Sequence, residues 1–498
     1  MNLLPREIVV GYGEAPSCMR VEMVGNADTP DVSFSSAANE HIEASYQNFL
    51  RHHDSGVPIY GTTTGFGPHV VSETGGDAAQ GAALIAHLGA GYGADAPAGI
   101  VRAAMMLRLN TVGQGYSGVS PDAAGAYLAL LRSGVAPCVP ATGSVGASGD
   151  LVPLSHIANV LMGGGEAVYG GERLPAGECL RRAGLSPVAL SGRDALALVN
   201  GTSFLTAYAA IAVARGQRLL YVAETLTGWM YRLLGCRADA LNEDLNVLRG
   251  HGGQKQSAAA IREEAERFGK YEDTMRPLQE VYSLRCAPQV LGACRRNTGF
   301  ACSTVEAEID GVDDNPLITE DAVIHGGNFH GQAVGFAADT LNAALTQTAV
   351  LAERQIALLC TPSRHNEFAP LLLAYEPGKG SGLAGAQLTA TALLAEMRGA
   401  CQQFATSSIP TNADNQDIVP MATLAAQSAY RQTDRLAGVL SVLHIALCQL
   451  DFLRREGVAT GKASPAPEGF PSFEPLRADR ALRDDLARIA SAFLTKTS

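Results

Sequence analysis

The chain has 498 residues, of which 47% are hydrophobic and 17% charged, and a formal net charge of −12. It is long enough for a large core and two or three domain-sized units, and its acidity argues against nucleic acid or an anionic membrane as a partner. The ten cysteines form no C-x-x-C pair, and the spacing of Cys286, Cys294 and Cys302 matches no zinc site, so reduced buried thiols of a cytoplasmic protein are expected, with no metal.

The opening MNLLPREIVV lacks a basic stretch followed by an apolar core, so no signal peptide is expected. Residues 1–57 combine strand-like REIVVGYG and MRVEMV with a helical AANEHIEASYQNFLRHH. From Ser203 to Gly235 the sequence is almost uninterrupted helix former. Leu341, Leu345, Ala349, Ala352 and Ile356 repeat at the three-and-four spacing of one helix face, and comparable stretches cover Leu383 to Met397 and Met421 to Leu453. The apolar run Leu436 to Leu453 contains Ser441, His444, Gln449 and Asp451, which suits a bundle-core helix better than a membrane span. A Pro/Gly-rich connector after Arg455 leads to a last amphipathic helix. The predicted fold is mainly α: a long helical bundle, with a smaller mixed α/β N-terminal region carrying catalytic loops. The predicted domains are 1–195 and 196–498.

Gly- or Asn-rich loops interrupt this pattern at 60–67, 143–150, 200–203, 311–316, 325–332 and 410–417, and loops on a rigid scaffold are where chemistry concentrates. In YGTTTGFG, glycines 61, 65 and 67 suit either a plain flexible turn or a lid carrying Tyr60, while no lysine follows as a phosphate loop requires. Gln279, Tyr282 and Arg285 recur every three residues, as on one helical face, and Arg285 is either an ordinary ion-pair partner or a carboxylate clamp. DDNPLI, HGGNFHGQ and TNADNQDIVP bring Asn315, Asn328, Phe329, Asn412, Asn415 and Gln416, each also compatible with a simple turn. GASGD, from Gly146 to Asp150, differs because it has almost no side-chain bulk. Compressed by a fold, the Gly149 amide nitrogen can approach the Ala147 carbonyl carbon. Ring closure with loss of water, and loss of water from Ser148, leaves a methylidene-imidazolone electrophile.

GSVGASGDLVPLSH strongly resembles the signature of the aromatic amino acid and histidine ammonia-lyases, whose prosthetic group, methylidene-imidazolone (MIO), is made from Ala-Ser-Gly. YGTTTGFG, LVNGTS, YSLRCAPQ, DDNP, GGNFHGQ and NQD resemble the family's other motifs in the same order, from about Tyr60 to beyond Asp417. The resemblance implies that Ala147, Ser148 and Gly149 form MIO with help from Asp150, without metal or nucleotide. It makes Tyr60 the β-proton base, which requires nearby positive charge or helix N-termini to favour its phenolate. It makes Arg285 the carboxylate ligand with Asn315 beside it, puts Asn200 and Tyr282 against MIO and the amine, packs Phe329 beside the ring, and gives Gln279, Asn412 and Gln416 to the polar wall.

At the ring-selectivity position, His87-Leu88 resembles the tyrosine lyases, against Phe-Leu in phenylalanine lyases and Ser-His in histidine lyases. A histidine there can pair with a phenol hydroxyl, although a satisfied core histidine is also possible. Asn415-Gln416-Asp417 follows the aromatic pattern rather than the Q-E-D of histidine lyases. The reading is thus an ammonia-lyase converting L-tyrosine to trans-4-coumarate. The alternatives are a tyrosine 2,3-aminomutase, a histidine or phenylalanine lyase, or an inactive helical homologue. Thr62, Gly311, Asp313 and Pro420 depart from the family pattern. Family members are homotetramers with active sites shared among subunits, and the same is expected here.

Overall fold

The computed structural model describes residues 7–267, 276–362, 368–376, 378–456 and 465–495. Most of these residues are helical, with a few short strands. The strand Ile8–Val10 pairs in parallel with Val32–Phe34, Ile8 opposite Val32. Between them, MRVEMV is not the expected strand but lies in the helix Cys18–Asn26. The Ser17 side chain caps this helix by accepting the Arg20 amide, and Cys18, Val21 and Val24 return every three residues to a buried face. The helix Ser36–Asp54 follows as expected, capped by Ser35.

The described residues form two compact units. The first takes residues up to Ala214 with Ala301–Asp339 and Gln403–Gln427; the second takes Arg215–Phe300, Thr340–Gln402 and the residues from Ser428. A single boundary near residue 195 does not describe this arrangement. The long helices Ser203–Leu234, Ala287–Asp310, Gln332–Cys360 and Ala422–Glu456 each contribute to both units.

In the first unit, Ala136–Pro137, Glu166–Tyr169 and Glu172–Pro175 make a small antiparallel sheet, and Tyr92–Asp95 pairs with Pro140–Thr142. The helix Ala98–Gly113 runs through the interior: every residue from Ala103 to Gly113 is buried, which carries Arg108 and Asn110 into the core.

In the second unit, Leu341, Leu345, Ala349, Ala352 and Ile356 are all buried, as their spacing predicts. The polar residues in the last long helix find partners inside the protein. Ser441 donates to the Ala437 carbonyl at 2.7 Å, His444 Nε2 donates to Pro471 O at 2.8 Å, and Gln449 exchanges hydrogen bonds with the Leu476 backbone at 3.1 and 2.8 Å. This helix is long and apolar enough to cross a membrane, but 83% of its most apolar window is buried within the protein, as in a core helix. Leu443→Ala, at a fully buried position, should cost about 3 kcal/mol in denaturant unfolding with little change in slope.

Candidate active site

The centre of the first unit is a backbone contact. Gly149 has φ 66°, and a parallel bridge joins it to Gly201. A Cβ on Gly149 would lie 2.1 Å from Gly201 O, and one on Gly201 would lie 1.9 Å from Arg108 Nη1. Neither residue can carry a side chain here. The Asp150 amide donates to Gly201 O at 2.7 Å. Ser148 is held from two sides: Asn200 Nδ2 donates to its carbonyl at 3.0 Å, and Gln416 Nε2 donates to its hydroxyl at 2.5 Å. Asn200 Oδ1 is buried without a hydrogen-bond partner among the described residues.

Asp150 precedes the helix Leu151–Leu161 but does not cap it with its side chain. Instead its Oδ2 accepts the Leu205 amide at 2.8 Å, in the first turn of Ser203–Leu234. Its Oδ1 accepts Ser144 Oγ at 2.6 Å and Thr423 Oγ1 at 2.8 Å. Complete burial raises its pKa to about 6 against these three donors, with the Asp313 charge adding to the rise. Beneath it, buried Arg108 donates to the Asn200 carbonyl at 2.5 Å and pairs with Asp313 at 3.3 Å, while buried Arg193 pairs with Asp314 at 3.4 Å. Asp313 also accepts the Thr202 amide at 2.6 Å and the Thr111 hydroxyl at 2.8 Å. The loop of Asn200, Gly201 and Thr202 is thereby fixed from below. Sequence reasoning missed these supports; only the unusual Asp313 signalled them.

Tyr60 is half-buried, with its ring edge-on to Phe66 at 6.1 Å. Its hydroxyl accepts the Gly67 amide at 2.7 Å, at the start of the short helix Gly67–Val71. Burial raises the Tyr60 pKa, and the Gly67 amide opposes the rise. The Gly67 amide is the one group among the described residues opposing burial here, and its effect is smaller than that of burial. The Tyr60 amide donates to His325 Nε2 at 3.2 Å, a role for the first residue of HGGNFHGQ that the motif alone does not reveal. Thr62 is buried, and a Cβ on Gly76 would meet its Cγ2 at 2.6 Å.

Two further loops reach this centre. The Gly331 amide donates to Gly146 O at 3.1 Å, which ties HGGNFHGQ to GASGD; within that loop Phe329 is half-buried and Asn328 Nδ2 donates to Val312 O at 3.1 Å. Asn412, Ala413 and Asp414 have φ of 57°, 53° and 59°, each costing about 1–2 kcal/mol for residues with a Cβ. The turn closes through the Thr411–Gln416 bridge and presents Gln416 to Ser148. A Cβ on Gly67 would lie 3.0 Å from Asn412 Nδ2, so this turn borders the Tyr60 loop as well. Asn315 is buried, and its Oδ1 accepts the Gly326 amide at 2.8 Å.

His87 ends the helix Ala78–Leu88 and is exposed, whereas Leu88 is buried; His87 is not a core histidine within this chain. Its Nδ1 donates to Ala83 O at 3.1 Å, which leaves Nε2 of the neutral ring as an acceptor. Gln279, Tyr282 and Arg285 belong to the second unit. The helix there covers only Tyr282–Arg285, so Gln279 does not share its face as the spacing suggests. The Arg285 guanidinium lies 4.7 Å from the Tyr282 ring centroid, and its buried Nε has no hydrogen-bond partner among the described residues.

The sequence profile of the aromatic amino acid lyases matches residues 18–468. The chain belongs to the aromatic amino acid lyase family. It is 39% identical to a tyrosine ammonia-lyase of Cereibacter sphaeroides over 88% of each chain, and 37% identical to a histidine ammonia-lyase of Stigmatella aurantiaca over 93% of this chain and 92% of that one. The solved tyrosine aminomutase from Streptomyces globisporus superposes with a TM-score of 0.89 at 30% identity, over 99% of this chain and 97% of that one. As an aromatic amino acid lyase, the chain is a carbon–nitrogen lyase of the ammonia-lyase and aminomutase type. Gly149→Ala should lower the melting temperature by several degrees in a thermal scan, because both its φ and the missing space beside Gly201 exclude a methyl group.

Proposed function

We propose that this lyase eliminates ammonia from L-tyrosine to give trans-4-coumarate, using MIO formed from Ala147, Ser148 and Gly149. The observation that carries the reading is the Gly149–Gly201 contact, a cradle that admits no side chain on the residue that must close on Ala147. The orphaned Asn200 Oδ1 and the Gln416 amide on Ser148 fit the group as well. When formed, it supplies an electrophile for the substrate amine that standard side chains lack.

The chain's own residues do the rest. Tyr60 accepts the Cβ proton, and the Gly67 amide stabilises the phenolate against the burial that disfavours it. Asn200, with its free Oδ1, orients the amine. Arg285 binds the carboxylate through its planar fork, with Tyr282 beneath it and Asn315 as a hydrogen-bond partner. Phe329 packs beside the substrate ring, and Gln279, Asn412 and Gln416 complete the polar wall. His87, with Nδ1 on the Ala83 carbonyl, accepts a hydrogen bond from the phenol hydroxyl at Nε2, and Leu88 packs beside the ring. Homotetramer assembly completes the site; the exposure of Ile409 and Ile418, either side of the Gln416 turn, and of Tyr282 supports it.

Tyrosine 2,3-aminomutase chemistry is the second reading, favoured by the likeness to the solved aminomutase. Incubation with tyrosine separates the two: 4-coumarate without β-tyrosine is expected, and accumulating β-tyrosine would establish the mutase. Ser148→Ala should lack the two-water loss in intact mass that the parent shows, and should lose activity at least about a thousandfold. His87→Phe should shift kcat/KM from tyrosine toward phenylalanine by about tenfold or more, and an unchanged ratio would remove His87 as the selector.

A further inference from the structure

Thr202 stands between two carboxylates. Its hydroxyl oxygen lies 2.5 Å from Glu308 Oε1 and 2.9 Å from Asp313 Oδ2. Two ionised carboxylates cannot both be satisfied, because a threonine hydroxyl has one proton to give. Asp313 is the better-supplied partner, since it also accepts the Thr202 amide and Thr111 and pairs with Arg108. Glu308, half-buried on the helix Ala287–Asp310, faces Thr202 with the carboxylates of Asp313 and Asp150 nearby. The wider group sets four carboxylates, Asp150, Asp313, Asp314 and Glu308, against two guanidiniums, Arg108 and Arg193, which pair with Asp313 and Asp314.

We propose that Glu308 is protonated and donates a hydrogen bond to Thr202 Oγ1, so that the Thr202 hydroxyl donates its own hydrogen bond to Asp313 and the turn of Asn200, Gly201 and Thr202 is locked against Ser148 and Gly149. Glu308 is then a positioning residue, acting on the site through Thr202. Asp313, which competes for the one Thr202 hydroxyl proton, creates the need for that proton on Glu308. Burial first, then the charges of Asp313 and Asp150, raise the Glu308 pKa to about 7 against the Thr202 hydrogen bond. An acid whose pKa is raised above its unfolded value costs the fold stability as pH rises from the ordinary carboxylate range through 7.

Glu308→Gln keeps an N–H donor toward Thr202 at every pH. The melting temperature of Glu308→Gln minus that of the parent should increase between pH 5 and pH 8, by about 3 °C or more. The ratio of kcat for tyrosine, variant over parent, should rise about fivefold between pH 6 and pH 8.5, with titration of Tyr60 cancelling in the ratio. In an Asp313→Asn background, which removes one of the charges acting on Glu308 and leaves its burial, both dependences should weaken. A flat melting difference or a flat ratio in the native background overturns the proposal, as do effects of undiminished size in the Asp313→Asn background. The turnover arm rests on the ammonia-lyase reading. A parent that converts neither tyrosine, phenylalanine nor histidine would sink that reading, while the melting arm alone would still decide for or against the proton on Glu308.

Discussion

The contact between Gly149 and Gly201 is the constraint on which the rest of the first unit depends. Two backbone segments meet where neither tolerates a Cβ, and the Asp150 amide seals the contact on the Gly201 carbonyl. A contact of this kind has no apolar side chain to hold it, so it must be fixed by hydrogen bonds from its surroundings. Arg108 supplies one from below through the Asn200 carbonyl, and Asn200 and Gln416 supply the others to Ser148. Arg108 in turn is fully buried and needs Asp313 and Asp314, because an unpaired buried guanidinium is costly.

The electrostatics of the site divide into two regimes. Around Gly201 the charges are dense and buried, and burial pushes the surplus acids Asp150 and Glu308 upward to about 6 and about 7. Around Tyr60 a single amide opposes burial, so a phenolate there depends on hydrogen bonding rather than on an adjacent ion pair. The first regime fixes the Gly201 loop, and the second is where the proposed base Tyr60 sits. The strained turn of Asn412, Ala413 and Asp414 links them, with Gly67 beside Asn412 on one side and Gln416 on Ser148 on the other.

Much of the site was legible because its chemistry is local. The proposed closure of GASGD on its own backbone calls for adjacent small residues, and that requirement is written in consecutive positions. The long helices were legible because a buried face recurs every three or four residues, as Leu341 to Ile356 show. MRVEMV was misread because six mixed residues fit a strand as well as a helix, and the Ser17 cap together with packing of Val21 and Val24 decided between them. Gln279 was misread because a spacing of three has meaning only where a helix exists, and the helix begins at Tyr282.

By itself, then, the sequence determined the mainly helical fold, the small-residue triplet and the ordered motifs that carry the family's chemistry. Only the tertiary structure decided that Asp150 anchors the helix Ser203–Leu234 at Leu205 rather than its own, that His87 turns its Nδ1 to the Ala83 carbonyl, and that Arg108, Thr202, Glu308 and Asp313 form one polar cluster. The reason is separation along the chain. Periodicity and motif spacing report on neighbours in sequence, whereas a buried charge takes its partner and its protonation state from whatever distant segment the fold packs against it.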